Sequence, residues 1–169
     1  MTRSTGSEPD ISGRGSQRRA RRARYDSAVV MLHLTSELDA IDWAMLAGVF
    51  ERAPLGTRDP TVLETLFRNS QAQCFAYVDS RLVGAGRALS DRVSWTVIFD
   101  VVVEPEYQGK GCGRAIVESL IQQAGASSVL LHSVPGKEDF YGAMGFRMLR
   151  TAMARFPDNE RAAELGYLD

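Results

Sequence analysis

The feature that most constrains the fold is a long apolar run that leads into a glycine-rich loop. Residues Trp95–Val103 are almost continuously apolar rather than alternating, which is typical of a strand covered on both faces of a sheet. A Glu-Pro pair ends the run, glycines follow at 109, 111 and 113, and Arg114–Ala124 repeats apolar residues at helical spacing. The sequence therefore predicts a central strand, a glycine loop and a helix as one continuous unit.

Shorter strands and helices are predicted on either side of this unit. The expected strands are Val29–Leu34, Gln73–Val78, Arg81–Leu89, Ser128–Ser133 and Arg147–Phe156, and the expected helices are 36–52, 59–67 and 137–144. Thr35 or Ser36 is expected to cap the first helix, and Gly145 to end the last one. The order β-α-α-β-β-β-α-β-α-β indicates a mixed α/β fold, with a twisted, mostly antiparallel sheet flanked by helices.

The first 24 residues differ in composition from the rest of the chain. They contain seven arginines against Glu8 and Asp10, and almost no apolar side chains. Such a segment buries too little apolar surface to fold, so we expect a disordered tail at 1–24 and one domain at 25–169. The tail is either solvated or in contact with an anionic partner. The remaining domain is acidic, which favours cationic small molecules and argues against nucleic-acid binding through the domain.

Several other classes of protein are disfavoured by the composition. Cys74 and Cys112 form no CxxC pair, and His33 and His132 are far apart, so neither a metal site nor a disulfide framework is expected. No run approaches the roughly 18 apolar residues of a membrane-spanning helix, and no secretory signal is recognisable. We therefore expect a soluble, cytoplasmic protein.

The glycine loop has the character of a phosphate-binding loop at the start of a helix. A Walker A motif is excluded because Glu104 occupies its first glycine position and Gly111 replaces its Ser or Thr. A dinucleotide-binding motif is excluded because Arg114 stands where its third glycine belongs. A different phosphate-containing ligand is required.

The loop Gln108-Gly109-Lys110-Gly111-Cys112-Gly113 resembles the acyl-CoA-binding motif Q/R-x-x-G-x-G/A of the GNAT (GCN5-related N-acetyltransferase) superfamily. Downstream, Asp139–Phe146 is similar to the F-Y-x-x-x-G-F helix of the same family. The resemblance extends over about Val29–Phe156 and includes the hairpin residues Leu82–Arg87. It implies the GNAT fold, in which a central pair of strands splays apart.

The resemblance also implies how acetyl-CoA, the acyl donor, is bound without a metal. Backbone groups of Val101, Val102 and Val103 are expected to pair with the pantetheine arm and the thioester. The pyrophosphate is expected to lie over the loop, with charge from two of its side chains. The residues implied in this contact are Gln108, Gly109, Lys110, Gly111, Cys112, Gly113 and Arg114, of which Lys110 and Arg114 supply the charge.

Tyr141 matches the tyrosine of the family that protonates the leaving thiolate. For the general base the sequence offers Asp100, a lone carboxylate in an apolar run, which either accepts the proton of the amine or is satisfied structurally by a partner such as Arg87. His132 is a second candidate. An acyl intermediate on Cys112 is not expected, because the phosphate loop is remote from the thioester, so we predict direct attack in a ternary complex.

The predicted function is acetyl transfer from acetyl-CoA to a primary amine of a small molecule. Two alternatives stay open: a protein acetyltransferase acting on lysine or an N-terminus, and a non-catalytic acyl-CoA-binding module whose tail docks to a partner. A homodimer is compatible with the sequence. The acceptor is expected to be selected by residues 36–70 and 148–156, where Trp43, Phe50 and Phe67 either line the acceptor cleft or pack in the core.

Overall fold

Five strands form one sheet in the computed structural model, which describes residues 31–169. The strands are β1 (Leu32–Thr35), β2 (Ala72–Val78), β3 (Arg81–Ser90), β4 (Trp95–Val103) and β5 (Ser128–Leu131), in the order β1-β2-β3-β4-β5. The first four are antiparallel neighbours, and β5 joins β4 in parallel. The mixed, mostly antiparallel sheet is confirmed, whereas the predicted tail at 1–24 and residues Val29-Val30 lie outside the described residues.

Helices cover both faces of this sheet. They are α1 (Trp43–Arg52), α2 (Pro60–Arg68), α3 (Cys112–Ala124), α4 (Glu138–Gly142) and α5 (Asn159–Glu164), with a 3-10 helix at Pro105–Tyr107. Alternate residues of β2 belong to two separate clusters, since Cys74 packs with α3 and Phe75 packs with α1 and α2. No helix in the described part of the chain is long and apolar enough to cross a membrane.

The first helix begins later than the sequence analysis predicted. Asp42 caps α1, because its carboxylate accepts a hydrogen bond from the Met45 N–H at 2.9 Å. Thr35, one of the predicted caps, instead accepts a hydrogen bond from the Glu37 N–H at 3.1 Å and closes a turn. The prediction of a cap at Thr35 or Ser36 was therefore wrong.

The predicted final strand, Arg147–Phe156, does not form a strand in the structure. The segment is mostly exposed, with Met148 82% and Met153 98% accessible to solvent. A strand needs a hydrogen-bonded neighbour, and composition alone does not show whether the sheet offers one. After this segment the chain forms α5, which the sequence analysis missed; Asp158 caps it by accepting a hydrogen bond from the Arg161 N–H at 2.8 Å.

Candidate active site

The parallel strands β4 and β5 are paired over only the first part of β4. Pairing between β4 and β5 ends at Ile98 and Leu131, although β4 continues to Val103. On its other side β4 remains paired with β3, with Val102 opposite Ala85. The splayed strand pair is confirmed. The backbone edge of β4 at Val101–Val103 is thus left open to a ligand on the side of β5.

A bulge lies where β4 leaves β5. Arg87 is opposite Phe99, and Ala85 is opposite Val102, so Asp100 and Val101 together face the single residue between Ala85 and Arg87. Asp100 has a φ of 55°, a left-handed conformation that Asp tolerates better than most residues. The bulge changes the direction of β4 immediately before its open edge.

Asp100 forms an ion pair with Arg87 at this bulge, and the two side chains are only 15% and 11% exposed. The guanidinium group of Arg87 also lies over the Phe99 ring at 5.0 Å and donates to the Ser70 hydroxyl at 3.4 Å. A buried carboxylate requires such a partner. The geometry therefore favours structural satisfaction by Arg87, and the role of Asp100 as general base stays a prediction.

The glycine loop connects the open end of β4 to the start of α3. Gly109 and Gly111 have φ values of 71° and 89°, and Gly111 is the residue that precedes the first turn of α3. The Gln108 side chain donates from Nε2 to the Val103 carbonyl at 2.9 Å, which fixes the loop against β4. The backbone N–H groups at the helix start are thus held beside the open strand edge, where they suit an anion.

The side chains of this loop have three different surroundings. Lys110 is exposed, with Nζ 5.3 Å from the centre of the Tyr107 ring. Arg114 donates to the Ala143 carbonyl at 3.0 Å and pairs with Glu118 at 3.4 Å. Cys112 is buried, and burial raises the pKa of its thiol. A protonated thiol in the core is a poor nucleophile, which agrees with direct transfer.

Gly113 has a different role from Gly109 and Gly111. A Cβ atom at position 113 would lie 3.1 Å from Cζ of Phe140. The third glycine therefore makes room for the aromatic ring of α4 rather than bending the loop. It brings the helix that carries Tyr141 into contact with the start of α3.

Tyr141 is partly buried against the sheet, between two other aromatic rings. Its ring meets Phe140 and Phe146 edge-on, with centroid distances of 4.9 and 5.9 Å. Burial raises the pKa of its hydroxyl above the ordinary value of 10.0. Tyr141 consequently keeps its proton at neutral pH, as a proton donor must.

The described fold and site match one family of known proteins. Residues 52–155, more than half of the chain, match the family model described as an acetyltransferase (GNAT) domain. The chain therefore belongs to the GNAT family. Its fold agrees with a solved structure, a probable acetyltransferase of meticillin-resistant Staphylococcus aureus, at a TM-score of 0.65 and 20% identity, covering 76% of this chain and 99% of the other.

Curated relatives share shorter stretches with this GNAT chain. An uncharacterized N-acetyltransferase, ycf52 of Pyropia yezoensis, is 30% identical over 64% of this chain and 59% of its own length. Serotonin N-acetyltransferase 2 of rice is 42% identical over 40% of this chain and 36% of its own length. Histone acetyltransferase TAP1 of Glycine max is 39% identical over 39% of this chain and 30% of its own length. The chain thus spans less than two thirds of each of these relatives.

His132, the second candidate base of this GNAT domain, is exposed beyond the end of β5. Its ring lies 4.8 Å from the Tyr167 ring and 6.1 Å from the Phe156 ring. These aromatic residues flank α5, so His132 belongs to a contact with the C-terminal segment. The sequence analysis missed this contact because it did not predict α5.

Two of the aromatic residues considered for the acceptor cleft lie in the core. Phe50 and Phe67 have no exposed surface, and Phe67 stacks on Phe75 with a centroid distance of 5.2 Å. Trp43 is partly exposed and packs against both Phe67 and Phe75. Core packing, the second of the two alternatives, is therefore confirmed for Phe50 and Phe67. Within residues 31–169, no three His, Cys, Asp or Glu residues are grouped closely enough to hold a metal ion.

Sequence reasoning missed one buried charge at the base of the glycine loop. Glu104 is only 2% exposed, and its carboxylate accepts hydrogen bonds from both Nε and Nη2 of Arg52, at 2.9 and 2.5 Å. Arg81 is a second partner at 3.4 Å. The hydrogen bonds from Arg52 lower the pKa of Glu104 below its ordinary value. The only indication in the sequence was that Glu104 stands between a strand predicted to be buried and Pro105.

We expect Glu104→Gln to reduce the free energy of unfolding at neutral pH by about 2 kcal/mol. This loss is smaller than that expected for a fully buried ion pair, because the side chains of both arginines are half exposed to solvent. The folded-state pKa lies below the unfolded value, so the stabilisation is complete above about pH 4.5 and is lost as the pH falls through the folded pKa. Urea unfolding of both proteins at neutral and acidic pH measures this. A difference that stays constant with pH would contradict the assignment.

Proposed function

We propose that this protein transfers the acetyl group of acetyl-CoA to a primary amine of a small molecule by direct attack in a ternary complex. The observation that carries the proposal is the open edge of β4 at Val101–Val103, which continues directly into the loop at the start of α3. An extended, amide-containing chain fits the open edge of β4, and a pyrophosphate fits the loop at the start of α3. Acetyl-CoA contains both in that order.

The donor is proposed to be held mainly by backbone groups. N–H groups of residues 109–114 would bind the pyrophosphate, since the Gln108 N–H already donates to the Pro105 carbonyl at 3.2 Å. Lys110 would add charge, as would the N–H groups of Arg114 that are not used by Ala143 and Glu118. Charge-assisted hydrogen bonds of this kind contribute about 1.5–3 kcal/mol each. Several of them together are enough for specific recognition of a diphosphate. The side chain of Gln108 acts through the Val103 carbonyl rather than on the ligand.

The reaction forms a C–N bond and an S–H bond, and it breaks a C–S bond and an N–H bond. The amine nitrogen attacks the thioester carbonyl carbon, the C–N bond forms, and the C–S bond breaks as the thiolate leaves. Tyr141 is proposed to give its proton to that sulfur, and the attacking nitrogen loses one proton to a base or to water. Backbone N–H groups of the open β4 edge would stabilise the developing oxyanion.

The acidic character of the domain favours a cationic small-molecule amine over an anionic acceptor. The relative named for serotonin acetylation is consistent with an amine of this size. A protein acceptor is the second candidate, because another relative is named as a histone acetyltransferase and because Arg147–Phe156 presents an exposed surface. The two candidates differ in the size of the acceptor, which an experiment can vary directly.

Release of free thiol from acetyl-CoA, measured against a panel of amines and peptides, tests the proposal. We expect arylalkylamines or polyamines to accelerate thiol release and lysine-containing peptides to have little effect. Acceleration by peptides alone would favour the protein acetyltransferase. Binding of acetyl-CoA without thiol release for any acceptor would indicate a non-catalytic binding module.

The ion pair at the bulge gives a separate prediction. If Asp100 holds the bulge through Arg87, Asp100→Asn and Arg87→Gln should each lower kcat by about tenfold, because both release the same segment of β4. The pH dependence of kcat should keep its shape in both variants. Loss of the acidic limb in Asp100→Asn alone would instead identify Asp100 as the general base. The pH-rate profiles of the three proteins distinguish these outcomes.

A further inference from the structure

We propose that Glu104 is a positioning residue for the donor, and that the cluster Arg52–Glu104–Arg81 sets the place of the phosphate-binding loop. The inference rests on the proposed function, because it assumes that acetyl-CoA binds to this loop. It adds a residue that contacts neither the ligand nor the reacting atoms. The effect is expected on donor binding and not on the chemical step.

Glu104 joins three elements that are distant in sequence. Arg52 is the last residue of α1, Arg81 is the first residue of β3, and Glu104 follows the last residue of β4. The side chain of Glu104 is 97% buried, whereas the side chains of Arg52 and Arg81 are half exposed. Arg81 also pairs with Glu106 at 2.6 Å. A single buried carboxylate thus fixes the end of β4 against both neighbouring elements.

The backbone of Glu104 carries this fixed position into the loop. Its N–H donates to the Val83 carbonyl at 2.8 Å, and its carbonyl accepts from the Tyr107 N–H at 2.9 Å, which closes the 3-10 helix. Two cations lie close to the Tyr107 ring, Arg81 at 5.9 Å and Lys110 at 5.3 Å from its centre. Arg81 therefore lies close both to the Glu104 carboxylate, at the base of the loop, and to the Tyr107 ring, which comes just before the loop in sequence.

Positioning and simple electrostatics predict opposite results at this residue. Glu104 brings a negative charge close to a site for anionic phosphates, so removing that charge alone would strengthen donor binding. If Glu104 instead fixes the loop, its removal displaces the N–H groups and weakens binding. A displacement that breaks one charge-assisted hydrogen bond to the phosphates weakens the affinity about ten- to a hundredfold. The sign of the change in affinity therefore decides between the two.

The experiment compares four proteins: the wild type, Glu104→Gln, Arg52→Lys and Glu164→Gln. Arg52→Lys keeps the charge but loses the two-pronged contact of Nε and Nη2 with the carboxylate. Glu164→Gln is the matched control, since it removes the same charge from an exposed pair with Arg161 on α5. The dissociation constant of CoA is measured by titration calorimetry, and KM for acetyl-CoA and kcat are measured with a saturating amine.

We expect the dissociation constant and KM to rise about ten- to a hundredfold in Glu104→Gln and less in Arg52→Lys, with kcat within about twofold of wild type. Glu164→Gln should match the wild type. Unchanged or tighter CoA binding in a folded Glu104→Gln or Arg52→Lys protein would overturn the inference, as would a fall in kcat with unchanged affinity. If Glu104→Gln does not fold, Arg52→Lys decides. Absence of CoA binding by the wild type would contradict the proposed donor itself.

Discussion

Replacing Gly111 by valine should weaken acetyl-CoA binding by at least about a hundredfold, the loss expected when several backbone contacts with one pyrophosphate are disturbed together. Gly111 has a φ of 89° at the position that precedes α3. A β-branched residue disfavours this conformation, so the loop must change its course. The valine side chain would also keep the phosphates of acetyl-CoA from approaching the backbone N–H groups of the loop. The measurement is the dissociation constant of CoA together with KM for acetyl-CoA.

Gly125→Val is the matched control for this substitution. Gly125 has a φ of 68° at the other end of the same helix, and an added Cβ atom meets nothing within 4 Å at either position. Both variants should therefore lose a similar amount of stability, about 1–2 kcal/mol for a left-handed residue with a side chain. Only the variant at position 111 should lose affinity for CoA. Equal affinities in the two folded variants would contradict the assignment of the loop.

Elements specified by local patterns were predictable from the sequence. The β2–β3 hairpin, α2 with its Asp59 cap, and β4 with α3 are all found close to their predicted bounds. Each depends on signals within a few residues, such as a proline at the first helical position or glycines before a helix. The order of these elements followed from the same patterns, and the family model that matches residues 52–155 confirms the resemblance to GNAT proteins.

Contacts between distant residues were not predictable. Glu104 and Arg52 are separated by 52 positions in sequence, and nothing in the neighbourhood of either residue indicates the other. The predicted strand Arg147–Phe156 failed for the same reason, since strand formation depends on a neighbouring edge and not only on composition. For Asp100 the sequence left two interpretations open. The bulge and the ion pair with Arg87, which favour one of them, are tertiary features.

The catalytic assignment depends most on Tyr141, and Tyr141→Phe should lower kcat by about a hundredfold or more, as expected for loss of a general acid. Phenylalanine keeps the edge-on contacts with Phe140 and Phe146 and removes only the hydroxyl. The dissociation constant of CoA should therefore change by less than about twofold. Steady-state kinetics with a saturating amine, combined with calorimetric titration of CoA, measures both quantities.

The pKa of Tyr141 determines the expected pH dependence of this loss. Burial raises that pKa above 10.0, so the hydroxyl stays protonated and the ratio of wild-type to variant kcat should be constant between about pH 7 and pH 9. Tyr77→Phe is the matched control, because burial also raises the pKa of that partly buried tyrosine, which packs with the α1–α2 core cluster. An unaltered kcat in Tyr141→Phe, or an equal loss in Tyr77→Phe, would show that the leaving thiolate obtains its proton elsewhere.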